Sequence, residues 1–286
     1  MFMDWTILVT DSEMLLKNRE YNWNGRRLLD LSNAFSEWLQ HRSTCEDWLI
    51  LAEKQETLDL AKRLKIPAVG LEQEGTVFLT GTPYILQGIG VESTAFLERV
   101  YRRYYGLPVR IIETERLWIR EMKKSDTDFL FRLYQCEDVQ REVDQAGLSR
   151  EELGVFLEKY RQMRYPFYDY GMWIVEEKET GSLVGEAGIE EDTRLEEEAA
   201  DGICLEAGYV ISPKFRGKGY AVEALAGILA YVKEKKEIYL FKRVSCYIHP
   251  ENLLSVRTAK RCGLQRQEGK RYGKQKEFEQ YSLKLR

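Results

Sequence analysis

Histidine is nearly missing from this chain. Only His41 and His249 occur in 286 residues, which excludes a histidine-rich metal centre. The five cysteines, Cys45, Cys136, Cys204, Cys246 and Cys262, show no C-x-x-C spacing. They predict free thiols, largely in the core, and not a disulfide scaffold or a zinc site. No G-x-G-x-x-G follows a strand, so no dinucleotide fingerprint is present. Apolar runs are short. The longest, Ala221 to Val232, is too short to span a bilayer and suits a buried helix. No basic-then-apolar leader with a small-residue cleavage site is visible at Met1, which predicts a cytoplasmic protein with no membrane partner. Positive charge is not in excess: the formal net charge is −4, which argues against a general nucleic-acid binder.

What is present is ordinary globular composition, 44% hydrophobic and 31% charged, in a chain long enough for two domains. Charge is uneven along it. Residues 176–206 are acidic, with Glu190-Glu191-Asp192 and Glu196-Glu197-Glu198, and residues 214–286 are basic. A basic segment suits a ligand bearing several phosphate groups, and an acidic neighbour suits a cationic amine. Both segments are equally readable as solvated faces, the Glu196–Glu198 run above all.

Residues 1–108 alternate short apolar strands with helical periodicity. Strands are expected at Trp5–Thr10, Trp48–Ala52, Ile66–Leu71 and Tyr84–Ile89. Helices are expected at Leu28–Leu39, Thr57–Leu64 and Ser93–Tyr105. This pattern predicts an α/β domain with a small parallel, Rossmann-like sheet. Asp11, at the end of the first strand, gives the stretch a faint resemblance to the first motif of haloacid-dehalogenase-type phosphatases. The second aspartate is replaced by Glu13, and no lysine-plus-acidic-pair motif follows. A strand-end acid of this kind binds ligands in α/β folds or caps a helix; a binding-only or degenerate domain is the expectation. Gly106 and Pro108 mark the boundary.

From 109 to 286 the pattern predicts an α+β domain with a mixed, mainly antiparallel sheet flanked by helices. Glu115–Glu121 is expected as its first strand. Ser125 with Asp128, and Ser149 with Glu152, carry capping-box spacing and start helices. Met172–Glu177 and Leu183–Ile189 form a hairpin around Glu179-Thr180-Gly181. Tyr165 to Trp173 is dense in aromatics, either rimming a pocket for a cationic ligand or packing a loop onto the sheet. Leu205–Ile211, Val244–Ile248 and Phe278–Leu285 complete the strands.

The most informative stretch is Leu205 to Lys236: a strand, the loop Arg216-Gly217-Lys218-Gly219-Tyr220-Ala221, and a long amphipathic helix with apolar Val222, Leu225, Leu229 and Val232. Glycines permit a sharp turn, and the first N–H groups of a helix have no partner within it. Together they form an anion cradle, to which Arg216 and Lys218 add mobile cations.

Three motifs in order extend this. R-x-x-G-x-A at Arg216, Gly219 and Ala221 resembles the acetyl-CoA loop of the GNAT superfamily of N-acetyltransferases. His249 to Ser255, then Ala259 to Leu264, resembles that family's second signature, a strand ending in P-x-N followed by a helix and a K-x-G-F-like turn. Glu113 to Glu121 resembles the E-T-E-R-L-x-L-R opening of the branch that includes ribosomal-protein N-terminal acetyltransferases. The resemblance covers about 109–286 and leaves the N-terminal domain outside it.

The resemblance implies a GNAT fold and direct transfer of an acetyl group from acetyl-CoA to a primary amine, a protein N-terminus or a small amine, by a monomer or homodimer. It implies acetyl-CoA contacts at Val210, Ile211, Ser212, Arg216, Gly217, Lys218, Gly219, Tyr220, Ala221, Asn252 and Ser255. It further implies that an amide among Val210 to Ser212 donates to the oxyanion. Candidate bases are Glu186, Glu190 and Glu206. Glu186, within the apolar run LVGEAGI, is the choice, since burial would raise its pKa toward neutrality. Ala259 stands where many relatives carry a tyrosine acid, which leaves that role open. Ser255, three residues after Asn252, resembles the serine suggested for the ribosomal-protein branch, whose hydroxyl would protonate or hydrogen-bond the thiolate; its other reading is a first-turn hydroxyl bonded to the backbone. The missing tyrosine leaves an alternative, an acyl-CoA-binding regulator whose transferase site has decayed.

Overall fold

The computed structural model describes residues 7–17, 23, 25–34, 36, 46–73, 78–90, 93–140, 143–195, 202–272 and 278–285. Cys45, His41 and the Glu196–Glu198 run lie outside them. The chain divides into two compact units, Met1–Val109 and Arg110–Arg286.

The first unit is a five-stranded parallel sheet. Its elements are β1 (Ile7–Thr10), α1 (Glu13–Lys17), β2 (Arg27–Asp30), β3 (Trp48–Ala52), α2 (Gln55–Leu64), β4 (Ala68–Leu71), β5 (Ile85–Leu86) and α3 (Ser93–Tyr104). The strand order is β2-β1-β3-β4-β5. Alternate residues feed two cores: Leu8, Leu49, Leu51, Val69 and Leu71 pack with Leu97, Val100 and Tyr101 of α3, whereas Val9, Ile50 and Ala52 pack with Leu58 and Ala61 of α2. Burial on both faces is why these strands read as unbroken apolar runs.

The expected helix over Leu28–Leu39 is corrected. Arg27–Asp30 is a strand paired in parallel with β1, and residues 31–34 are helical. A short apolar run fits either period, and pairing with β1 decides. The overlooked signal is Asp30, whose Oδ1 accepts from the N–H groups of Ser32 and Asn33 at 2.9 and 3.3 Å and so caps the helix that starts after it.

Asp11 stands at the carboxyl end of β1, where the strand order reverses and such sheets bind ligands. Its carboxylate is committed to the fold. Oδ1 accepts from the Glu53 N–H at 2.8 Å and Oδ2 from the Thr57 hydroxyl at 2.5 Å, which holds the start of α2 against β1. Ser12 donates to Glu53 at 2.6 Å beside it.

The second unit carries an eight-stranded sheet. Its elements are β6 (Arg110–Glu113), β7 (Leu117–Arg120), α4 (Thr127–Tyr134), α5 (Arg150–Tyr168), β8 (Met172–Glu177), β9 (Leu183–Glu191), β10 (Ile203–Ile211), α6 (Tyr220–Tyr239), β11 (Phe241–Ile248), α7 (Leu253–Arg261), β12 (Gln265–Tyr272) and β13 (Phe278–Lys284). The order is β12-β13-β11-β10-β9-β8-β7-β6. Every described pairing is antiparallel except β10 with β11. One face packs on α6 through Ala224, Leu225, Ile228, Leu229 and Val232. The other packs on α4 and α5 through Leu130, Leu133, Leu153 and Leu157. Val222, expected on the core stripe of α6, is only half-buried. Among the described residues, no helix is long and apolar enough to cross a membrane.

Two expectations change here. The first strand of the unit is Arg110–Glu113; the strand expected over Glu115–Glu121 is the second, Leu117–Arg120, and pairs with the first in a tight hairpin. Ser125 and Asp128 do not form a capping box: Asp126 precedes α4, and Asp128 pairs with Arg150 at 2.5 Å. The Ser149–Glu152 box does form, with N–H···O distances of 2.9 and 3.2 Å. Of the two readings of the aromatic stretch, packing holds at Tyr165, Tyr170 and Trp173, all of which are fully buried.

The E-T-E-R-L-x-L-R opening has a structural purpose in its last arginine. Arg120 and Asp126 are each 3% exposed and bond through two contacts of 2.8 and 3.0 Å, and Arg120 also reaches Glu176 at 2.8 Å. Asp126 in turn accepts from the Lys123 N–H at 2.6 Å. This network ties β7, β8 and the start of α4 together. Removing one partner leaves a buried charge, so Asp126→Ala is expected to lower unfolding free energy by about 3–5 kcal/mol in urea titration.

Candidate active site

The cleft begins where two strands stop pairing. β10 and β11 run parallel from Ile203–Phe241 to Glu206–Ser245 and then part, although both continue for several residues. On its other edge β10 stays bonded to β9. Asp192 N–H donates to the Cys204 carbonyl and Ser212 N–H to the Val184 carbonyl, each at 2.9 Å, so even-numbered residues of β10 form the hydrogen-bonded pairs with β9. The main-chain groups of the odd-numbered residues point the other way. Past Glu206, Tyr209 and Ile211 therefore turn their N–H groups into the gap. Gly185 permits this close strand approach, since a Cβ there would lie 2.1 Å from the Val210 carbonyl oxygen.

The gap widens into a cleft of about 360 Å³. Val210, Ile211, Arg216, Gly217, Gly219, Tyr220, Ala221, Asn252 and Ser255 all line it, as do Tyr209, Val222, Arg257, Thr258 and Arg261. Ser212 and Lys218 do not. The Ser212 amide is taken by β9, and the Lys218 ammonium sits 5.3 Å from the Phe215 ring centroid. Of the three amides expected as oxyanion donors, only that of Ile211 faces the cleft.

The loop before α6 has the form of an anion cradle. Gly217 and Gly219 adopt φ of +76° and +83°, the left-handed region that glycine enters without penalty. Gly219 is the N-cap of α6 and has no side chain to satisfy the helix's first N–H groups. These stay available to an anion, at the positive end of the dipole. The residues present thus fit a diphosphate, which is the test that a CoA ligand sets for this loop.

Arg216 is not a mobile cation. Its Nε donates to the Ile211 carbonyl at 2.9 Å, and a second nitrogen pairs with Asp138 at 2.6 Å. Tyr220 is also committed to the fold: its ring lies beneath Arg116 and its hydroxyl donates to Glu177. Sequence reasoning missed a clamp across the first turn of α6. The Glu223 carboxylate accepts from the Thr114 hydroxyl at 2.6 Å, and from the Arg116 N–H and Nε, both at 2.7 Å. Arg116 then donates to the Lys218 carbonyl at 3.0 Å. Burial pushes the Glu223 carboxyl up, but these hydrogen bonds outweigh it and hold it below the usual range. Thr114 and Arg116 belong to the E-T-E-R-L motif, which was the available signal.

On α7, Asn252 is a helix cap. Its Oδ1 accepts from the Ser255 N–H at 3.1 Å, and the Tyr209 hydroxyl donates to the Ser255 carbonyl at 3.0 Å. With Asn252 supplying the cap, the Ser255 hydroxyl lines the cleft, where it stands within hydrogen-bonding reach of the Tyr209 hydroxyl. Ala259 is fully buried in the core, so no hydroxyl stands in its place.

Glu186 does not line the cleft. It sits directly across the β9–β10 ladder from Val210, which does. It is 5% exposed and accepts from the Tyr134 hydroxyl at 2.6 Å. Burial raises its pKa, the tyrosine hydrogen bond lowers it, and Glu190 raises it again, for a value of about 7. Glu190 accepts from the Tyr160 hydroxyl at 2.7 Å and is the ladder partner of Glu206. Glu206 is bonded to Arg194, which also pairs with Asp192 at 3.0 Å and lies 3.7 Å over the Tyr247 ring. The three carboxylates share one face of the sheet.

This burial has a measurable cost. The folded state keeps a proton on Glu186 between pH 4.5 and about 7, where the unfolded chain releases it, so stability falls as pH rises through that window. The penalty levels off above pH 7 at about 3 kcal/mol, at roughly 1.4 kcal/mol per pKa unit. Glu186→Gln keeps an acceptor for Tyr134 and carries no charge. Its melting temperature relative to wild type is expected to climb between pH 4.5 and 8; a constant difference across that range contradicts the assignment.

Comparison with known proteins agrees with this geometry. The family described as acetyltransferase (GNAT) domain matches residues 116–265. The uncharacterized protein YkkB of Bacillus subtilis is 28% identical over 152 residues, covering 53% of this chain and 83% of that protein. The uncharacterized N-acetyltransferase YnaD of the same organism is 25% identical over 161 residues, covering 54% and 83%. The solved structure of RimL, a ribosomal-protein alpha-N-acetyltransferase in complex with coenzyme A, shares the fold at 14% identity and a TM-score of 0.50, over 62% of this chain and 98% of that one. With more than half of its length matched to the family, and with the parted strands, glycine loop and capped helix in place, the chain belongs to the GNAT superfamily of acetyl-CoA-dependent N-acetyltransferases.

Proposed function

We propose that residues 110–286 acetylate a primary amine, either a protein N-terminus or a small amino compound, bound on the sheet face that carries Glu186, Glu190 and Glu206. The observation that carries this reading is the parting of β10 and β11 beside a buried carboxylate of near-neutral pKa. Acetyl-CoA, when bound, supplies the acetyl group as an activated thioester. The α6 N-terminus holds its diphosphate, and the gap between the strands admits its acyl end. The Ile211 N–H donates to the negative charge that develops there, from a position fixed by the ladder and costing no reorganisation.

Glu186, in its ionised form, takes the proton that the ammonium of the acceptor must lose before its nitrogen can attack. A pKa of about 7 leaves a useful fraction ionised at neutral pH. As the C–S bond breaks and the C–N bond forms, the sulfur needs a proton or a hydrogen bond. The Ser255 hydroxyl, which lines the cleft, is placed to give one. Tyr134 and Tyr160 keep Glu186 and Glu190 oriented on the acceptor face. The acidic surface favours cationic acceptors.

Thiol release measured over a panel of peptides and small amines tests this directly. Activity with at least one amine is expected, with kcat/KM rising through about pH 7 as Glu186 ionises. Glu186→Gln should lose roughly 10²–10⁴ of rate, the range for a general base, together with that limb. A variant that keeps both rate and profile removes Glu186 as the base. Replacing Gly219 with a bulky residue strains a φ of +83° and should abolish acetyl-CoA binding in calorimetry. Tight CoA binding with no turnover across the whole panel would instead mark a binding-only protein.

A further inference from the structure

The helix N-terminus accounts for a diphosphate, yet coenzyme A carries a third phosphate group on its ribose. The cleft contains two cations that no described residue pairs with. Arg257 and Arg261 of α7 both line it. They are four residues apart and so share one helix face. Both are exposed, and neither makes an ion pair or hydrogen bond to the described residues.

The other arginines at this end of the unit are spent. Arg216 is held by Asp138 and the Ile211 carbonyl, and Arg116 by Glu223. Two like charges at this spacing repel; the carboxylate that lines the same cleft, Asp138, is paired with Arg216. The helix dipole explains a cation in the last turn, hence Lys260 and Arg261, but not Arg257 in mid-helix. Cys262 Sγ lies 3.5 Å from the Val222 carbonyl oxygen, which sets the end of α7 beside the first turn of α6. One turn before Arg257, Leu254 exposes 67% of its surface on the same flank. An apolar residue followed by two cations suits a nucleoside with a phosphate attached.

We propose that Arg257 and Arg261 form a phosphate subsite that takes the 3′-phosphate of the CoA moiety. This rests on the acetyl-CoA reading of the cleft and adds a residue-level address for one of its phosphates. Paired guanidinium donors suit a phosphate dianion, since charge-assisted contacts are the strong ones.

The test is calorimetric titration of the full chain with CoA and with 3′-dephospho-CoA, on wild type, Arg257→Gln, Arg261→Gln and the double variant, each checked by circular dichroism for native folding. Wild type is expected to prefer CoA by one to two orders of magnitude, about tenfold per arginine contact. The double variant should lose most of that preference while binding dephospho-CoA within about twofold of wild type. Equal losses for both ligands would place the arginines on the diphosphate or in the fold and overturn the proposal, as would a wild type with no preference between them. A folded wild type that binds neither ligand would remove the cofactor reading itself.

Discussion

A parallel pair of strands that separates partway along its length is expensive. Past Glu206 and Ser245 the main-chain groups of β10 on one edge have no ladder to join, and unpaired polar groups in a protein interior cost as much as lost hydrogen bonds. The fold tolerates this because both strands are locked elsewhere: β10 to β9 through Ile211, and β11 to β13 through Ile248. The opening is thus rigid on both walls. Everything that gives the second unit its chemistry is arranged around that opening.

Three small devices keep the walls in place. Tyr209 crosses the cleft with its ring and ties its hydroxyl to the Ser255 carbonyl, so α7 is fixed to the strand it leans away from. Thr114 and Arg116 hold Glu223, which fixes the first turn of α6 against the β6–β7 hairpin. Arg216 bridges Asp138 and Ile211, which gives the glycine loop a defined entry. Each device commits a charged or hydroxyl group to the fold, and one of them, Arg216, was expected to face the ligand. Their neutralisation inside the protein is what leaves the first amides of α6 directed at the cleft.

The sequence carried much of this. The Gly217–Gly219 turn, the strand before it and the amphipathic helix after it were legible because glycine and helical spacing have local causes. The capping box at Ser149 was legible for the same reason. The strand at Arg27–Asp30 was not, because four residues do not separate a helical period from a strand, and only pairing with β1 settles it. Arg216 looked like a free cation because its partner, Asp138, is distant in the chain. Ser212 looked like an amide donor because nothing local shows which way a strand's N–H groups alternate; register with Val184 decides that. The aromatic run from Tyr165 to Trp173 read equally as rim or as packing because burial is a tertiary property.

What the sequence determined by itself was the kind of protein: a two-part α/β and α+β chain whose second part carries the motifs of an acetyl-CoA-dependent transferase, since those motifs are short, local and ordered. What only the tertiary structure decided was which groups are available for chemistry. Whether a carboxylate is a base or a salt-bridge partner, and whether an arginine is held or free, depends on what lies opposite it across a ladder or a helix face. Glu186 is raised toward neutrality by burial under α4 and the nearby Glu190, whereas Glu223, an equally acidic residue, is lowered by three donors brought from over a hundred positions away. Those long-range contacts are set by the fold, and no spacing along the chain encodes them.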